Sequence, residues 1–213
     1  MLTKLPNLLT LSRIVALPLV IATFYLDTPL GNWLGLAIFT VAAITDFFDG
    51  YVARAWAQQS HFGRLLDPIA DKLLVSAIIL MLVATDRIEG LVILPALVIL
   101  CREILVSGLR EFLASAQVRV PVSRLAQWKT AVQMLALGFL LVGSAGPQFG
   151  PFSTVEIGIA GLWIAASLTL YTGYDYLRAG LHHVDRLDSP PEPSNPPVSR
   201  ARPAPVDAAT DAR

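Results

Sequence analysis

The sequence predicts an all-α integral membrane fold: a bundle of six transmembrane helices with both chain ends on the cytoplasmic side. Three observations predict it. Of the 213 residues, 54% are hydrophobic and only 15% are charged, against roughly a quarter charged in a soluble domain, and the mean hydropathy is +0.60. Apolar stretches of helical length recur along most of the chain, separated by short connectors rich in helix breakers. The basic residues are also distributed one-sidedly with respect to those stretches.

In chain order the spans are 8–26, 31–53, 67–86, 89–114, 125–145 and 154–178, each about the length needed to cross ~30 Å of hydrocarbon. Asp27-Thr28-Pro29 ends the first, Asp86 through Gly90 separates the third from the fourth, and Gly143 through Pro151 separates the fifth from the sixth. Helices are the expected conformation, because lipid offers no partner to an unpaired backbone group. Met1 to Ser12 lacks a small-residue cleavage site after a short apolar core, so the first apolar segment is read as retained. Cys101 sits alone in an apolar run; it cannot form an internal disulfide and is read as a small buried apolar residue.

With the N-terminus cytoplasmic, Arg87 is the only one of the 16 basic residues to fall in an external loop. Trp33 and Trp56 then fit the aromatic belts at opposite membrane surfaces. The formal net charge is zero, so no basic field suggests nucleic acid. Residues 1–185 form the expected membrane domain. The last 26 residues hold seven prolines, and 186–213 is read as a disordered cytoplasmic tail.

The chemistry is concentrated between Asp46 and Asp71. Asp46 and Asp49 are three apart at the cytoplasmic end of the second span, so they share a helix face. Asp67 and Asp71 are four apart at the start of the third and likewise project together. Two helices joined by a cytoplasmic loop can bring four carboxylates together, and these could not all stay ionised without cations. Oxygen donors favour Mg²⁺ or Mn²⁺ over zinc, and two such ions form the clamp used for in-line displacement at phosphorus. Gly50 would let a phosphate or ribose approach the backbone, and Arg54 could neutralise a phosphate. Plainer readings compete. Asp67-Pro68 has the form of a helix start, with Asp as cap; Gly50 could be a packing glycine and Arg54 a snorkelling one. The joint arrangement is what these readings leave unexplained, since carboxylates in a span are costly.

The pattern D-x-x-D-G-x-x-A-R, eight residues, then G-x-x-x-D-x-x-x-D is met at Asp46, Asp49, Gly50, Ala53, Arg54, Gly63, Asp67 and Asp71. It resembles the signature of the CDP-alcohol phosphotransferases. The resemblance implies a six-helix bundle of that family's type, dimeric, in the cell membrane, with its active site at the cytoplasmic face. It implies two Mg²⁺ (or Mn²⁺) held by Asp46, Asp49, Asp67 and Asp71, and Asp71 as general base. It also implies CDP contacts around Gly50, Arg54, Ser60 and Gly63.

Three further runs, Pro6 to Arg13, Arg102 to Glu111 and Lys129 to Met134, resemble the branch of the family that uses CDP-diacylglycerol as donor and sn-glycerol 3-phosphate as acceptor. That likeness implies transfer of the phosphatidyl group to the acceptor with release of CMP. Asn7 and Thr10 could touch the nucleotide, or equally cap the first helix. Arg102, Arg110 and Lys129 are charges inside spans that need a partner, and a phosphate dianion would supply one. Glu103 and Glu111 are the rivals: Glu103 and Arg110 are seven apart, so a structural ion pair stays open. Other acceptors for the same chemistry are phosphatidylglycerol (as in a cardiolipin synthase), inositol phosphate and serine. A cation transporter is the alternative from a different class, although the charges gather at one membrane face and no inverted repeat is visible.

Overall fold

The computed structural model describes the backbone of residues 5–56, 61–115 and 124–188; side chains are described except at 5–10, 46–56, 61–68, 71, 115, 124, 126, 127, 175, 179 and 181–188. Ser60 and the chain beyond Asp188 lie outside the described residues. Six α-helices follow one another: α1 (Leu5–Thr23), α2 (Pro29–Trp56), α3 (His61–Ala84), α4 (Ile93–Ser115), α5 (Arg124–Val142) and α6 (Thr154–Asp188). Short 3₁₀ turns at Phe24–Leu26, Gly90–Val92 and Gly143–Ala145 trim α1, α4 and α5. No strand is present among the described residues; one isolated bridge, Phe149 to Phe152, closes the α5–α6 loop.

Local chemistry explains the boundaries. Asp27 and Asp86 adopt left-handed backbone angles (φ 37° and 54°) just after α1 and α3, a conformation that aspartate tolerates better than most residues. Pro29 opens α2, where its missing N–H is no loss, and Thr28 Oγ1 accepts a bond from Gly31 N at 3.1 Å. At α6 the Ser153 backbone N–H donates to Glu156 Oε2 at 2.7 Å while Ser153 Oγ accepts from Glu156 N at 3.2 Å, a reciprocal capping box.

Packing joins two three-helix groups. α1 lies against both α2 and α3, α6 lies against both α4 and α5, and α2 meets α5 across the middle. Val20, Leu82, Ile99, Leu137 and Leu162 are fully buried in the shared core. The tightest seam is between α5 and α6. A Cβ placed on Gly158 would lie 2.8 Å from Leu140 Cγ, and one on Gly161 3.0 Å from Ala136 Cβ. Small residues of this kind let helices pack closely where lipid supplies no hydrophobic drive.

The outer surface is apolar: Val15, Leu19, Val41, Leu80, Leu97, Ile104, Leu135 and Leu170 are all more than half exposed. So continuous a greasy exterior marks a lipid-facing surface. Among the described residues, three segments are long and apolar enough to cross a membrane, Gly90–Ala114, Trp128–Ala145 and Thr154–Arg178. Among the described residues, the apolar parts of the other helices are shorter: Leu11–Leu26, Pro29–Thr45 and Lys72–Ala84. The fold is that of an all-helical membrane protein.

Some expectations need correction. α3 begins at His61, so Asp67 and Pro68 lie inside the helix, and the reading of Asp67 as its N-cap does not hold. α1 begins at Leu5, which puts Asn7 and Thr10 within the helix and removes their capping role. Cys101 is exposed on α4. In a lipid-facing bundle an apolar run is as much surface as core, so apolar neighbours do not bury a cysteine.

Arg87, the lone basic residue of its connector, is tied inward. Its Nη1 donates to Leu141 O and its Nη2 to Asn32 Oδ1, both at 2.7 Å, while Asn32 Nδ2 donates to Val142 O at 3.0 Å. Its guanidinium also sits 5.1 Å from the Phe24 ring centroid, so one side chain clasps the ends of α1, α2, α3 and α5. Arg87→Met should lower stability by about 2–4 kcal/mol, from two charge-assisted bonds and a cation–π contact. Denaturant unfolding of the detergent-solubilised protein reads this; an unchanged midpoint would show that the clasp adds no net stability.

Candidate active site

The acidic motif occupies the end of the bundle opposite Arg87. Asp46 and Asp49 lie ten and seven residues before the end of α2 at Trp56, and Asp67 and Asp71 lie six and ten residues after the start of α3 at His61. At about 1.5 Å per residue both pairs therefore fall at matching depths, roughly 9–15 Å in from the same end. Gly50 and Arg54 continue α2, and Gly63 lies in the first turn of α3. The side chains of these residues, like those of Asn7 and Thr10, lie outside the described set.

Lys72, next to Asp71, is described. Its Nζ donates to Ser107 Oγ on α4. One helical turn along α4, Glu103 holds a second polar cluster: its Oε1 accepts from Lys129 Nζ of α5 and pairs with Arg102 Nη1 at 3.3 Å. Arg102 Nη2 donates to Thr172 Oγ1 of α6 at 3.2 Å. Gly173 makes room for the arginine stem, since a Cβ there would stand 3.1 Å from Arg102 Cγ. Four helices are thus linked by polar contacts, α3 to α4 through Lys72, and α4 to α5 and α6 through Glu103 and Arg102.

Lys129 is only 4% exposed. The Lys129, Glu103 and Arg102 trio carries one net positive charge, which suits it to an anion. Arg110 stands apart: it is exposed, and its guanidinium lies 5.8 Å from the Tyr176 ring centroid. The structure thus brings Arg102 and Lys129 together around Glu103, the rival partner considered from the sequence. Arg110 is instead over an aromatic face on α6. Sequence reasoning passed over Ser107, Thr172 and Tyr176, and used Arg13 only as a charge, although it is buried to 2% exposure. The signal available for them was polarity inside an apolar span.

These features coincide with a family. A model of the CDP-alcohol phosphatidyltransferases matches residues 3–171, and the chain belongs to that family. Among its relatives, a protein of Rickettsia bellii is 52% identical over 179 residues, covering 83% of this chain and 94% of its own. One of Shigella flexneri is 42% identical, covering 87% and 98%, and one of Cereibacter sphaeroides is 38% identical, covering 85% and 97%. All three bear the name CDP-diacylglycerol–glycerol-3-phosphate 3-phosphatidyltransferase.

Proposed function

We propose that this enzyme transfers the phosphatidyl group of CDP-diacylglycerol to sn-glycerol 3-phosphate, giving phosphatidylglycerophosphate and CMP. The observation that carries the reading is the Lys72–Ser107 contact, which sets the aspartate-bearing helix one turn along α4 from the Lys129–Glu103–Arg102 cluster. A site for the reacting phosphate and a site for an anionic acceptor then adjoin. Relatives that share 38–52% of their residues with this chain and carry that activity in their names support the choice of substrates. Lys129 and Arg102 together exceed the single charge of Glu103, which suits a phosphorylated acceptor better than a zwitterion such as serine, and membership of a phosphatidyltransferase family leaves nothing in favour of a cation transporter.

In this reading all six helices span the membrane. Both termini and the active site face the cytoplasm, residues 1–185 form the catalytic domain in the cell membrane, and two copies associate as a homodimer. The tail, expected from residue 186, starts after α6 ends at Asp188. The donor set fits hard divalent cations, because it is four carboxylates on two helices at matched depth. Asp46, Asp49, Asp67 and Asp71 would hold two Mg²⁺ or Mn²⁺, which supply charge neutralisation at the diphosphate. Gly50, Arg54, Ser60 and Gly63, with Asn7 and Thr10, line the CDP side. Lys129 and Arg102 grip the acceptor phosphate, with Arg110 attracting it from the exposed rim.

The acceptor hydroxyl attacks the phosphorus next to diacylglycerol, its proton passes to Asp71, and the bond to CMP breaks. The test is CMP release from CDP-diacylglycerol by purified protein. It should require both sn-glycerol 3-phosphate and a divalent cation, fall to background with EDTA, and return with Mg²⁺ or Mn²⁺. Turnover with a different alcohol alone would retain the chemistry and overturn the acceptor assignment.

A further inference from the structure

Three buried polar atoms beside the Lys129 cluster have no hydrogen-bond partner among the described residues: Gln133 Oε1 on α5, Thr169 Oγ1 on α6 and Arg102 Nε on α4. Gln133 is 3% exposed and Thr169 is fully buried. An unsatisfied buried polar atom is expensive, and a native structure that keeps three together is asking for a guest. Helical threonines commonly bond back to their own backbone. Thr172 does so, to Leu168 O at 2.8 Å, whereas Thr169 does not.

Helix register brings these residues within one turn of one another. Gln133 follows Lys129 by four residues, on the same face of α5 and about 6 Å farther in. Thr169 precedes Thr172, the acceptor of the Arg102 bond, by three residues on α6. The α5–α6 seam pairs Leu140 with Gly158 and Ala136 with Gly161. Continued antiparallel, it sets Thr169 level with Lys129, and Gln133 level with the buried Ala165.

We propose that Gln133 and Thr169 are specificity-determining residues that bind the non-reacting, middle hydroxyl of a three-carbon phosphorylated acceptor. The inference rests on the reading of sn-glycerol 3-phosphate as acceptor. With its phosphate on Lys129 and Arg102 and its terminal hydroxyl turned toward the aspartates of α2 and α3, the middle hydroxyl faces inward. There it donates to Gln133 Oε1 and accepts from Thr169 Oγ1. A site built to hydrogen-bond a hydroxyl rejects an analogue lacking it far better than an apolar site rejects an extra group, because its own polar atoms are then left unpaired.

The test compares sn-glycerol 3-phosphate with 3-hydroxypropyl phosphate, which differs only in lacking that hydroxyl, in full-length wild type and in Gln133→Met and Thr169→Val. Wild type should prefer sn-glycerol 3-phosphate in kcat/KM by about 100-fold or more. Each variant should shrink the preference at least tenfold, chiefly by losing rate on the natural acceptor. Because the readout is a ratio within one protein, partial loss of folded material cancels, and Gln133→Ala gives a second variant that also removes the accepting oxygen should the methionine one not fold. An unchanged ratio in folded variants overturns the proposal and leaves the three atoms to buried water. Failure of wild type to use sn-glycerol 3-phosphate at all would instead overturn the acceptor reading beneath it.

Discussion

Exchanging Asp71 for Asn lowers CMP release by about 10²–10⁴-fold, the usual contribution of a positioned general base, in a protein that still folds. The amide keeps the shape of the carboxyl but cannot take the acceptor's proton. Because Asp71 is also assigned to the metal set, two causes of loss need separating. If the missing function is proton abstraction, the residual rate climbs roughly tenfold per pH unit as hydroxide substitutes for the base. If it is metal affinity, added Mg²⁺ restores the rate at constant pH. Turnover at the wild-type level, with helix content and unfolding midpoint intact, would end both assignments.

Lys129→Met acts twice, on stability and on the acceptor. Its loss leaves the Glu103 carboxylate, 20% exposed, still paired with Arg102 at 3.3 Å, so the stability cost is that of one charge-assisted hydrogen bond, about 1.5–3 kcal/mol. The double variant Lys129→Met/Glu103→Gln also removes the carboxylate, which restores the cluster's net charge of one with Arg102 as its only cation. Activity should not follow. Truncating a buried, hydrogen-bonded charge costs an anionic ligand about 2–5 kcal/mol, so kcat/KM for sn-glycerol 3-phosphate should fall by on the order of 10²-fold in both variants. Unfolding in detergent and steady-state kinetics on the same preparations decide it. If the double variant regains activity, Lys129 serves only to balance Glu103 and does not bind the acceptor.

The order of helices was legible because apolar length and breakers such as Asp27 and Asp86 mark where a chain enters and leaves an apolar medium. The acidic motif was legible because carboxylates at helical spacing have few other reasons to sit in a span. What hydropathy cannot convey is rotation about a helix axis. Cys101 on α4 could face core or lipid with the same neighbours in sequence, and it faces outward. Nor does spacing choose among partners: Glu103 and Arg110 share a face, yet Glu103 pairs with Arg102 beside it and with Lys129 from another helix. Gln133 and Thr169 escaped notice because a lone polar residue in an apolar run looks the same whether its polar atom is satisfied or not.

The glycine seam between α5 and α6 has a mechanical meaning. With Leu140 and Ala136 seated against Gly158 and Gly161 at near-minimum separation, sliding either helix by one residue would drive side chains into backbone. The pair therefore behaves as a single stiff beam. Lys129 is mounted on that beam, and Arg102 is tied to it from α4 through Thr172, so the proposed anion cradle rests on a fixed anvil. Any closing stroke that seats the donor diphosphate against it falls to α1, α2 and α3.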